Sequence, residues 1–487
     1  MLFNSYIFTL VFLPLCLVGY FGLNHFGKYT LAQAFLFGMS LWFYGYFHPS
    51  YLIIMAASIV GNYLFTLLLG RLRGPGCRKA AMVTAVMLNL GVLFFFKYFD
   101  FFLKNVNRFA GTSFPYLNIM LPLGISFFTF QQVGYIVDAY RGEIRRYPFL
   151  QYACFVSFFP QLIAGPIVTH DELIPQFLDE GKKRFQWDNF AQGLYMFALG
   201  AAKKVLLADT FGRVCTWGFG NVRALDTTNA ILVALAYTIQ IYFDFSGYCD
   251  MATGVARMMN IDLPMNFNSP YKALTIGEFW DRWHMTLTRF LTKYIYYPLG
   301  GNRKGKLRTY GNILIVFLIS GLWHGAAYTF ILWGLLHGLL SILERIWERR
   351  IAALHPALSW LMTFTLIVVT MSLFRCNTVT DFINLGKAVM HMQFGPIHAE
   401  VTGAFLLPEL KYLMQFFPAL LYFEFYPGAL VLLAYGFTMI LILGPRNSRE
   451  YMLAFRPTPL RMVFTALLLA WSILSFSGVS TFLYFNF

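Results

Sequence analysis

Residues 319–327 read I-S-G-L-W-H-G-A-A, and they lie near the middle of an apolar stretch that runs from 309 to 343. One helix needs roughly 20 apolar residues to cross a bilayer. The histidine in this stretch, His324, is costly in lipid unless it lines a pathway or a site inside the protein. The stretch therefore predicts a helical membrane protein that keeps an ionisable side chain at membrane depth.

The composition of the whole chain also indicates an integral membrane protein. Of its 487 residues, 58% are hydrophobic and 12% are charged, whereas soluble domains carry roughly 25% charged residues. Lipid must therefore cover much of the surface. Because the apolar runs are continuous instead of alternating, we predict an all-α polytopic integral membrane protein that forms a single domain over residues 1–487.

Apolar runs long enough to be membrane spans recur along the chain. They lie near 2–23, 30–48, 50–70, 80–103, 115–140, 148–168, 189–206, 227–247, 309–343, 358–375, 428–444 and 462–480. The first run has no basic flank and no clear cleavage site, so we expect a retained helix. The segment 377–427 mixes charged and aromatic residues, and we expect it to be interfacial or partly inserted.

The basic loops between these runs predict the orientation of the chain. Lysine and arginine are concentrated at 71–79, 303–308 and 446–461, and such loops are usually cytoplasmic. Counting crossings from these loops places both termini outside the cytoplasm. The net charge of +15 is thus explained by orientation, and since no basic face with base-stacking aromatics is present we expect no nucleic-acid binding.

Between residues 248 and 308 the chain must cross the membrane again to match the predicted orientation, but no clear span is present there. A re-entrant or broken helical segment near 265–298 would restore the count. Irregular backbone at membrane depth is tolerated only inside protein or beside a water-filled cavity. We therefore expect a functional site in this segment.

Two histidines lie in the long apolar stretch. Gly321 and Gly325 flank His324 at GxxxG spacing, which lets a neighbouring backbone or a ligand approach closely. Histidine titrates near pH 6.5 and exchanges protons at neutral pH, so His324 is a candidate general base. The alternative is a buried histidine that hydrogen-bonds a neighbouring helix. For His337, 13 residues later, we favour packing.

A third histidine, His284, lies in a polar and aromatic cluster at 278–287. On a helix, Asp281 and His284 would share a face, and the carboxylate would orient the imidazole. The alternative is an amphipathic interfacial helix anchored by Trp280 and Trp283. No spacing of cysteine, histidine or acidic residues indicates a metal site.

Other polar features of the membrane region leave their functions open. Asp138, Asp244 and Asp250 lie within apolar runs and either pair with basic residues or line a channel. The turn P-L-G-G at 298–301 leads into the basic loop 303–308. That loop is either a topological anchor or a contact for the phosphates of a cytosolic donor such as coenzyme A.

These segments resemble the membrane-bound O-acyltransferase family, in its bacterial branch of alginate O-acetyltransferases. The resemblance covers most of the chain and is clearest in 120–340, and we expect the core of the acyltransferase domain at 115–345. It is carried by 269–303, by 321–338, by P-L-G-I-S-F-F-T-F-Q at 122–131 and by F-F-P-Q-L-I-A-G-P-I at 158–167. Relatives commonly have Arg-Asp before Tyr294, where this chain has Thr292-Lys293, so the local charge is inverted.

The resemblance implies a helical bundle with re-entrant segments around a central tunnel. It assigns His324 as the catalytic histidine and His284 as the second functional one, and we expect Asp281 and Trp323 to support them. The tail F-L-Y-F-N-F at 482–487 resembles an aromatic motif in which a tyrosine, here Tyr484, relays the acyl group; the alternative is an interfacial anchor.

The resemblance also implies a donor, a location and a partner. Acetyl-CoA or an acyl-carrier thioester donates from the cytosol as a substrate, and no tightly bound cofactor is expected. The acetyl group leaves the bacterial inner membrane towards alginate, another exopolysaccharide or peptidoglycan, with an extracytoplasmic acetyltransferase as partner. The alternatives are D-alanyl transfer to teichoic acid and, in another class, a transporter or flippase.

Overall fold

The structure is a computed structural model that describes residues 1–144, 146–478 and 481–483. Apart from an isolated bridge between Phe267 and Trp283, every regular element in those ranges is helical, so the predicted all-α class is confirmed. The tail residues 484–487 lie outside the described residues, and the function expected of Tyr484 stays a prediction.

Twelve helices form the first half of the described chain. A π-helical turn, Phe8–Phe12, leads into the first of them. They are α1 (Leu13–His25), α2 (Tyr29–Gly45), α3 (Ser50–Arg71), α4 (Pro75–Lys97), α5 (Phe99–Ala110), α6 (Ile125–Arg141), α7 (Phe149–Ser157), α8 (Phe159–Leu162), α9 (His170–Leu178), α10 (Trp187–Ala202), α11 (Asp209–Gly220) and α12 (Thr227–Met258).

Thirteen helices follow in the second half of the described chain. They are α13 (Ile276–Arg282), α14 (Met285–Leu291), α15 (Lys306–His324), α16 (Tyr328–Ile346), α17 (Glu348–Ala352), α18 (Pro356–Arg375), α19 (Val379–Met390), α20 (Ala399–Phe405), α21 (Pro408–Phe416), α22 (Tyr422–Phe425), α23 (Pro427–Leu443), α24 (Ser448–Leu453) and α25 (Pro459–Leu474).

Seven of the described helices are long and apolar enough to cross a membrane. They are Phe8–His25, Ser50–Arg71, Pro75–Lys97, Thr227–Met258, Tyr328–Ile346, Pro356–Arg375 and Pro459–Gly478. The apolar window of α12 is 89% buried, whereas the windows of the other six are between 17% and 50% buried. Helix α12 is therefore the centre of the bundle, and the others present apolar side chains outward, as lipid requires.

Two of the predicted spans, 115–140 and 148–168, are wrong as continuous helices. The first is interrupted because Gly124 adopts a left-handed backbone conformation (φ 70°), and α6 starts only after it. The second is broken between α7 and α8, because Pro160 cannot continue a preceding helix and occupies a new first turn. Most side chains of these three helices are buried in the protein instead of facing lipid.

The apolar stretch 309–343 forms two antiparallel helices instead of one span. Helix α15 ends at His324, and α16 runs back along it. Gly321 and Gly334 lie where the helices cross, and a Cβ on Gly321 would overlap the carbonyl oxygen of Phe330. The absence of a side chain at Gly321 therefore lets two backbones approach closely. This is one of the two possibilities that the glycine spacing predicted, the other being the approach of a ligand.

The segment 265–298 is broken, as predicted. Extended chain leads to a 3₁₀ turn at Pro270–Lys272, and α13 and α14 follow with a change of direction between them. A π-helical turn, Thr292–Tyr296, completes the segment. Most of these residues are buried or half-buried, so the irregular backbone lies inside the protein.

We expect Gly321→Ala to destabilise the fold by about 1–3 kcal/mol, the usual cost of overpacking a close contact. Gly311→Ala is the matched control, because Gly311 lies in the same helix and nothing lies within 4 Å of a Cβ added there. That control should be neutral or stabilise the fold by up to about 1 kcal/mol. Unfolding in detergent measures both variants, and equal stability would contradict this explanation of the hairpin.

Candidate active site

The helix end that carries His324 is capped by side chains from α4. Carbonyl groups in the last turn of a helix have no partner within it. The Lys97 ammonium donates to the carbonyl oxygens of Trp323 (2.6 Å) and His324 (3.2 Å). The Tyr98 hydroxyl donates to the carbonyl oxygen of Leu322 at 2.8 Å. Sequence reasoning missed Lys97, although an ammonium inside the predicted span 80–103 was an available signal.

The imidazole of His324 is buried among aromatic rings. Its centroid lies 5.0 Å from that of Trp323, 5.3 Å from that of Trp333 and 5.1 Å from that of Phe374. The ring of Trp323 also lies 5.9 Å from the ring of His284. The two histidines that the sequence predicted to act together therefore contact the same indole.

The expected pairing of Asp281 with His284 is wrong. Helix α13 ends at Arg282, between the two residues, so they do not share a helix face. Asp281 is exposed, whereas His284 is 1% exposed and adopts a left-handed backbone conformation (φ 47°). That conformation is uncommon outside glycine and marks a residue that its surroundings hold in place.

The side chain that orients His284 is Asn266. Its Oδ1 atom accepts hydrogen bonds from the backbone N–H of Thr286 (3.2 Å) and from the Thr286 hydroxyl (2.9 Å), and lies 3.1 Å from Nδ1 of His284. A carboxamide oxygen carries no hydrogen, and the backbone N–H of Thr286 identifies this atom as the oxygen, so Nδ1 of His284 donates the hydrogen bond and carries the proton. The neutral imidazole then has its lone pair at Nε2.

His337 lies inside the bundle, and the packing function favoured for it stays a prediction. It is fully buried, and its Nδ1 accepts a hydrogen bond from the Trp280 indole at 3.3 Å. Its ring also lies 4.7 Å from that of Trp333, which contacts His324.

A cavity reaches His324 from one side. It measures about 40 Å³, and Lys97, Ser126, Trp323 and His324 line it. A wider cleft of about 350 Å³ shares Lys97 with it and is bounded by Gly325. His324 is therefore not enclosed by apolar side chains alone. Such enclosure would have excluded a reaction at this histidine.

A larger cavity approaches from the opposite end of the helical hairpin. It measures about 560 Å³ and is lined from Glu344 and Glu348, near the end of α16, to Ser320 on α15. Ser320 lies four residues before His324 and therefore on the same helix face, one turn away. Trp280 also lines this cavity and contacts the ring of His337.

The inverted charge at Lys293 is compensated within the protein. The Lys293 ammonium lies 3.0 Å from the Asp138 carboxylate on α6 and 3.2 Å from that of Glu143. The hydroxyl of Tyr294 donates to the same oxygen of Asp138 at 2.7 Å. Asp138 thus pairs with a basic residue, one of the alternatives left open.

The other two acids of the membrane region, the buried Asp244 and the half-buried Asp250, also pair with lysines. Asp244 lies 2.7 Å from Lys204, and Asp250 lies 2.6 Å from Lys203. The backbone N–H of Leu483 donates to Asp244 at 3.1 Å. The described residues that lead into the tail motif therefore contact the centre of the bundle and not only its surface.

Comparison with known proteins identifies the family. The profile of the membrane-bound O-acyltransferase (MBOAT) family matches residues 122–380, more than half of the chain. The chain belongs to the MBOAT family. Both His284 and His324 lie in the matched region, and this MBOAT protein is an O-acyltransferase with a membrane location.

Several named proteins are similar to this MBOAT chain. A peptidoglycan O-acetyltransferase of Helicobacter pylori is 41% identical over 420 residues, 80% of each chain. A probable alginate O-acetylase of Pseudomonas aeruginosa is 38% identical over 390 residues, 78% of this chain and 73% of the relative. A teichoic acid D-alanyltransferase of Bacillus subtilis is 30% identical over 247 residues, 48% of this chain and 62% of the relative.

Two of the segments that carried the resemblance meet at the candidate active site of this MBOAT protein. Residues 122–127 and Ile163 line the cavity beside His324. A Cβ added to Gly124 would lie 2.7 Å from the carbonyl oxygen of Leu162, so the two segments are in backbone contact. The two segments that resemble the family therefore form one wall of this cavity.

We expect Asn266→Ala to lower acyltransferase activity by about 10–100-fold, because a lost partner of a buried polar group costs about 1–3 kcal/mol. Asp281→Asn is the comparison variant: Asp281 is exposed and lines the larger cavity, and His284 is oriented without it. Because asparagine keeps the size and polarity of that side chain, activity should stay within about twofold. Transfer rates of the two purified variants test this assignment, and a larger loss in Asp281→Asn would refute it.

Proposed function

We propose that the protein transfers an acetyl group from acetyl-CoA to hydroxyl groups of an extracytoplasmic polysaccharide. The relatives with the widest coverage support this substrate class, since they are named for peptidoglycan and alginate. Between these two acceptors, peptidoglycan is favoured by the higher identity and by the greater coverage of both chains.

The position of His324 between two cavities carries the proposal. One cavity contacts the imidazole directly, and the other reaches Ser320, one helical turn away. At 1.5 Å per residue, α15 separates the basic loop at Lys306 from His324 by about 27 Å. That length is close to the roughly 30 Å hydrocarbon core of a bilayer, which supports donor binding at one membrane face and acceptor binding near the other.

The reaction is an acyl transfer from sulfur to oxygen. His324 accepts the proton of the acceptor hydroxyl as its oxygen attacks the thioester carbonyl. The tetrahedral intermediate collapses, the carbon–sulfur bond breaks, and the proton passes to the leaving thiolate, so free coenzyme A and an oxygen ester result. His284, with its lone pair at Nε2, is a proton-relaying partner and not a carbonyl-polarising donor in its neutral form.

The basic loops define the proposed orientation of the protein in the membrane. The guanidinium of Arg78 donates to the carbonyl oxygen of Tyr140 at 3.1 Å, so the loop after α6 lies at the same end as the basic loop 71–79. Donor binding belongs to this cytosolic end of the bacterial inner membrane, where the larger cavity opens. The termini lie at the other face, where an extracytoplasmic acetyltransferase partner takes over the acetyl group.

In the proposed reaction, the C-terminal tail at 482–487 relays the acyl group. Phe482 is 1% exposed and contacts Tyr248 of α12, with ring centroids 4.5 Å apart. This anchoring supports a tail that reaches into the protein immediately before Tyr484. The tyrosine hydroxyl is the first acetyl acceptor, and the partner protein removes the acetyl group from it.

D-alanyl transfer is the second candidate function, because the similarity to the teichoic acid D-alanyltransferase includes about half of the chain. Both reactions use the same histidine chemistry on a thioester. A transporter or flippase is disfavoured, since the family consists of acyltransferases.

We expect His324→Ala to lower the rate by about 10²–10⁴-fold, the usual contribution of a general base. The measurement is release of free coenzyme A from acetyl-CoA by purified protein in the presence of the extracytoplasmic partner acetyltransferase and the acceptor polysaccharide. His391→Ala, an exposed histidine after α19, is the control and should retain the full rate. Undiminished activity of His324→Ala would remove the mechanism, and activity with a D-alanyl carrier thioester alone would select the second candidate.

Tyr484→Phe should abolish acetylation of the tail, because the ring remains but the nucleophilic hydroxyl is lost. Mass spectrometry of the C-terminal peptide after incubation with acetyl-CoA measures the adduct. Tyr46→Phe, at an exposed tyrosine after α2, should leave the adduct in place. An adduct that persists in Tyr484→Phe would rule out this residue as the relay.

A further inference from the structure

Lys97 is the last residue of α4, one of the helices long enough to span the membrane. Its half-buried ammonium donates to the carbonyl oxygens of Trp323 and His324 and, more weakly at 3.4 Å, to the hydroxyl of Ser126. The hydrogen-bond partners that the described residues offer it are thus neutral oxygens. Withdrawing an ammonium from water costs free energy that neutral acceptors only partly offset, so a cation at this helix end needs a physical reason.

The electrostatics of the helix end explain why a cation stands there. The carbonyl groups at the C-terminus of a helix carry a partial negative charge of about half an electron, and a cation nearby is stabilised. Helix α15 directs this negative end at the cavity beside His324. Negative charge develops on the carbonyl oxygen of a thioester when a hydroxyl attacks it. Without a cation, the helix end would repel that charge.

The position of Lys97 fits this need. The same side chain lines the cavity at His324 and the adjoining cleft. Its ammonium also lies 5.9 Å from the centroid of the Trp323 ring, the indole that contacts both histidines. Lys97 therefore reaches the backbone that holds the imidazole and the space in which the acyl group must lie.

We propose that Lys97 is a positioning residue for the acyl transfer: it clamps the helix end that carries His324 and reverses the negative potential of that end. The inference rests on the proposed function, because it assigns a purpose to a charge beside the proposed base. The family profile starts at residue 122, so it does not cover this residue.

The test separates charge from helix capping. Lys97→Met removes the charge and the hydrogen bonds, Lys97→Gln keeps a donor without the charge, and Lys97→Arg keeps both. Tyr98→Phe is the matched control, since the Tyr98 hydroxyl caps the neighbouring carbonyl of the same helix end without a charge. For each purified full-length variant, kcat and KM for acetyl-CoA and the unfolding temperature are measured.

We expect Lys97→Met and Lys97→Gln to lower kcat by about 10²-fold, as loss of a group that stabilises developing negative charge does. KM should stay within about twofold, because the charge acts on the transition state and not on the bound donor. Lys97→Arg should recover most of kcat, and Tyr98→Phe should stay within about twofold of the unchanged protein.

Three results would overturn the inference. Unchanged kcat in Lys97→Met or Lys97→Gln would leave the charge without a function in the reaction. Equal losses in Lys97→Gln and Tyr98→Phe, matched by equal falls in unfolding temperature, would reduce Lys97 to a helix cap. A raised KM with unchanged kcat would make it a donor-binding group.

The same series distinguishes this inference from the proposed function. If His324→Ala is inactive while Lys97→Met is fully active, only the inference about Lys97 fails. If His324→Ala retains full activity, the proposed mechanism fails whatever the Lys97 variants do. Should Lys97→Met not fold, the comparison of Lys97→Arg with Lys97→Gln decides the question, because these two differ in charge while both retain donors.

Discussion

The end of α15 lies inside the protein, and its carbonyl groups must find hydrogen-bond donors there because lipid offers none. Lys97 and Tyr98 supply those donors from α4, more than 220 residues earlier in the chain. This requirement joins two distant helices at one point. The imidazole of His324, the cavity beside it and the cavity wall built by residues 122–127 all lie around that junction.

The two histidines are held by different physical means. His324 is placed by the end of a regular helix and by aromatic rings around it. His284 is placed by a left-handed backbone conformation, which costs about 1–3 kcal/mol. Hydrogen bonds around Asn266 offset that cost and select one tautomer. Both imidazoles reach Trp323, so a helix terminus and an irregular segment together form one site.

The sequence was most informative about residue types and least informative about where helices break. It singled out His324, His284 and Trp323, and it located the broken segment between 265 and 298. It assigned Asp281 to His284 because a continuous helix was assumed there, whereas the helix ends at Arg282 and Asn266 approaches from 18 residues earlier. The sequence also treated 309–343 as one span, although the chain reverses after His324.

Composition and the continuous apolar runs by themselves determined that the chain is an all-α membrane protein, because burial in lipid requires helices whose backbone bonds are internal. Histidines within such runs were visible for the same reason, since each is costly at that depth. Only the tertiary structure decided the partners: Lys97 for the helix end, Asn266 for His284 and Asp138 for Lys293. These contacts join residues from different helices, and hydrophobic periodicity along one segment carries no information about which distant side chain completes a hydrogen bond.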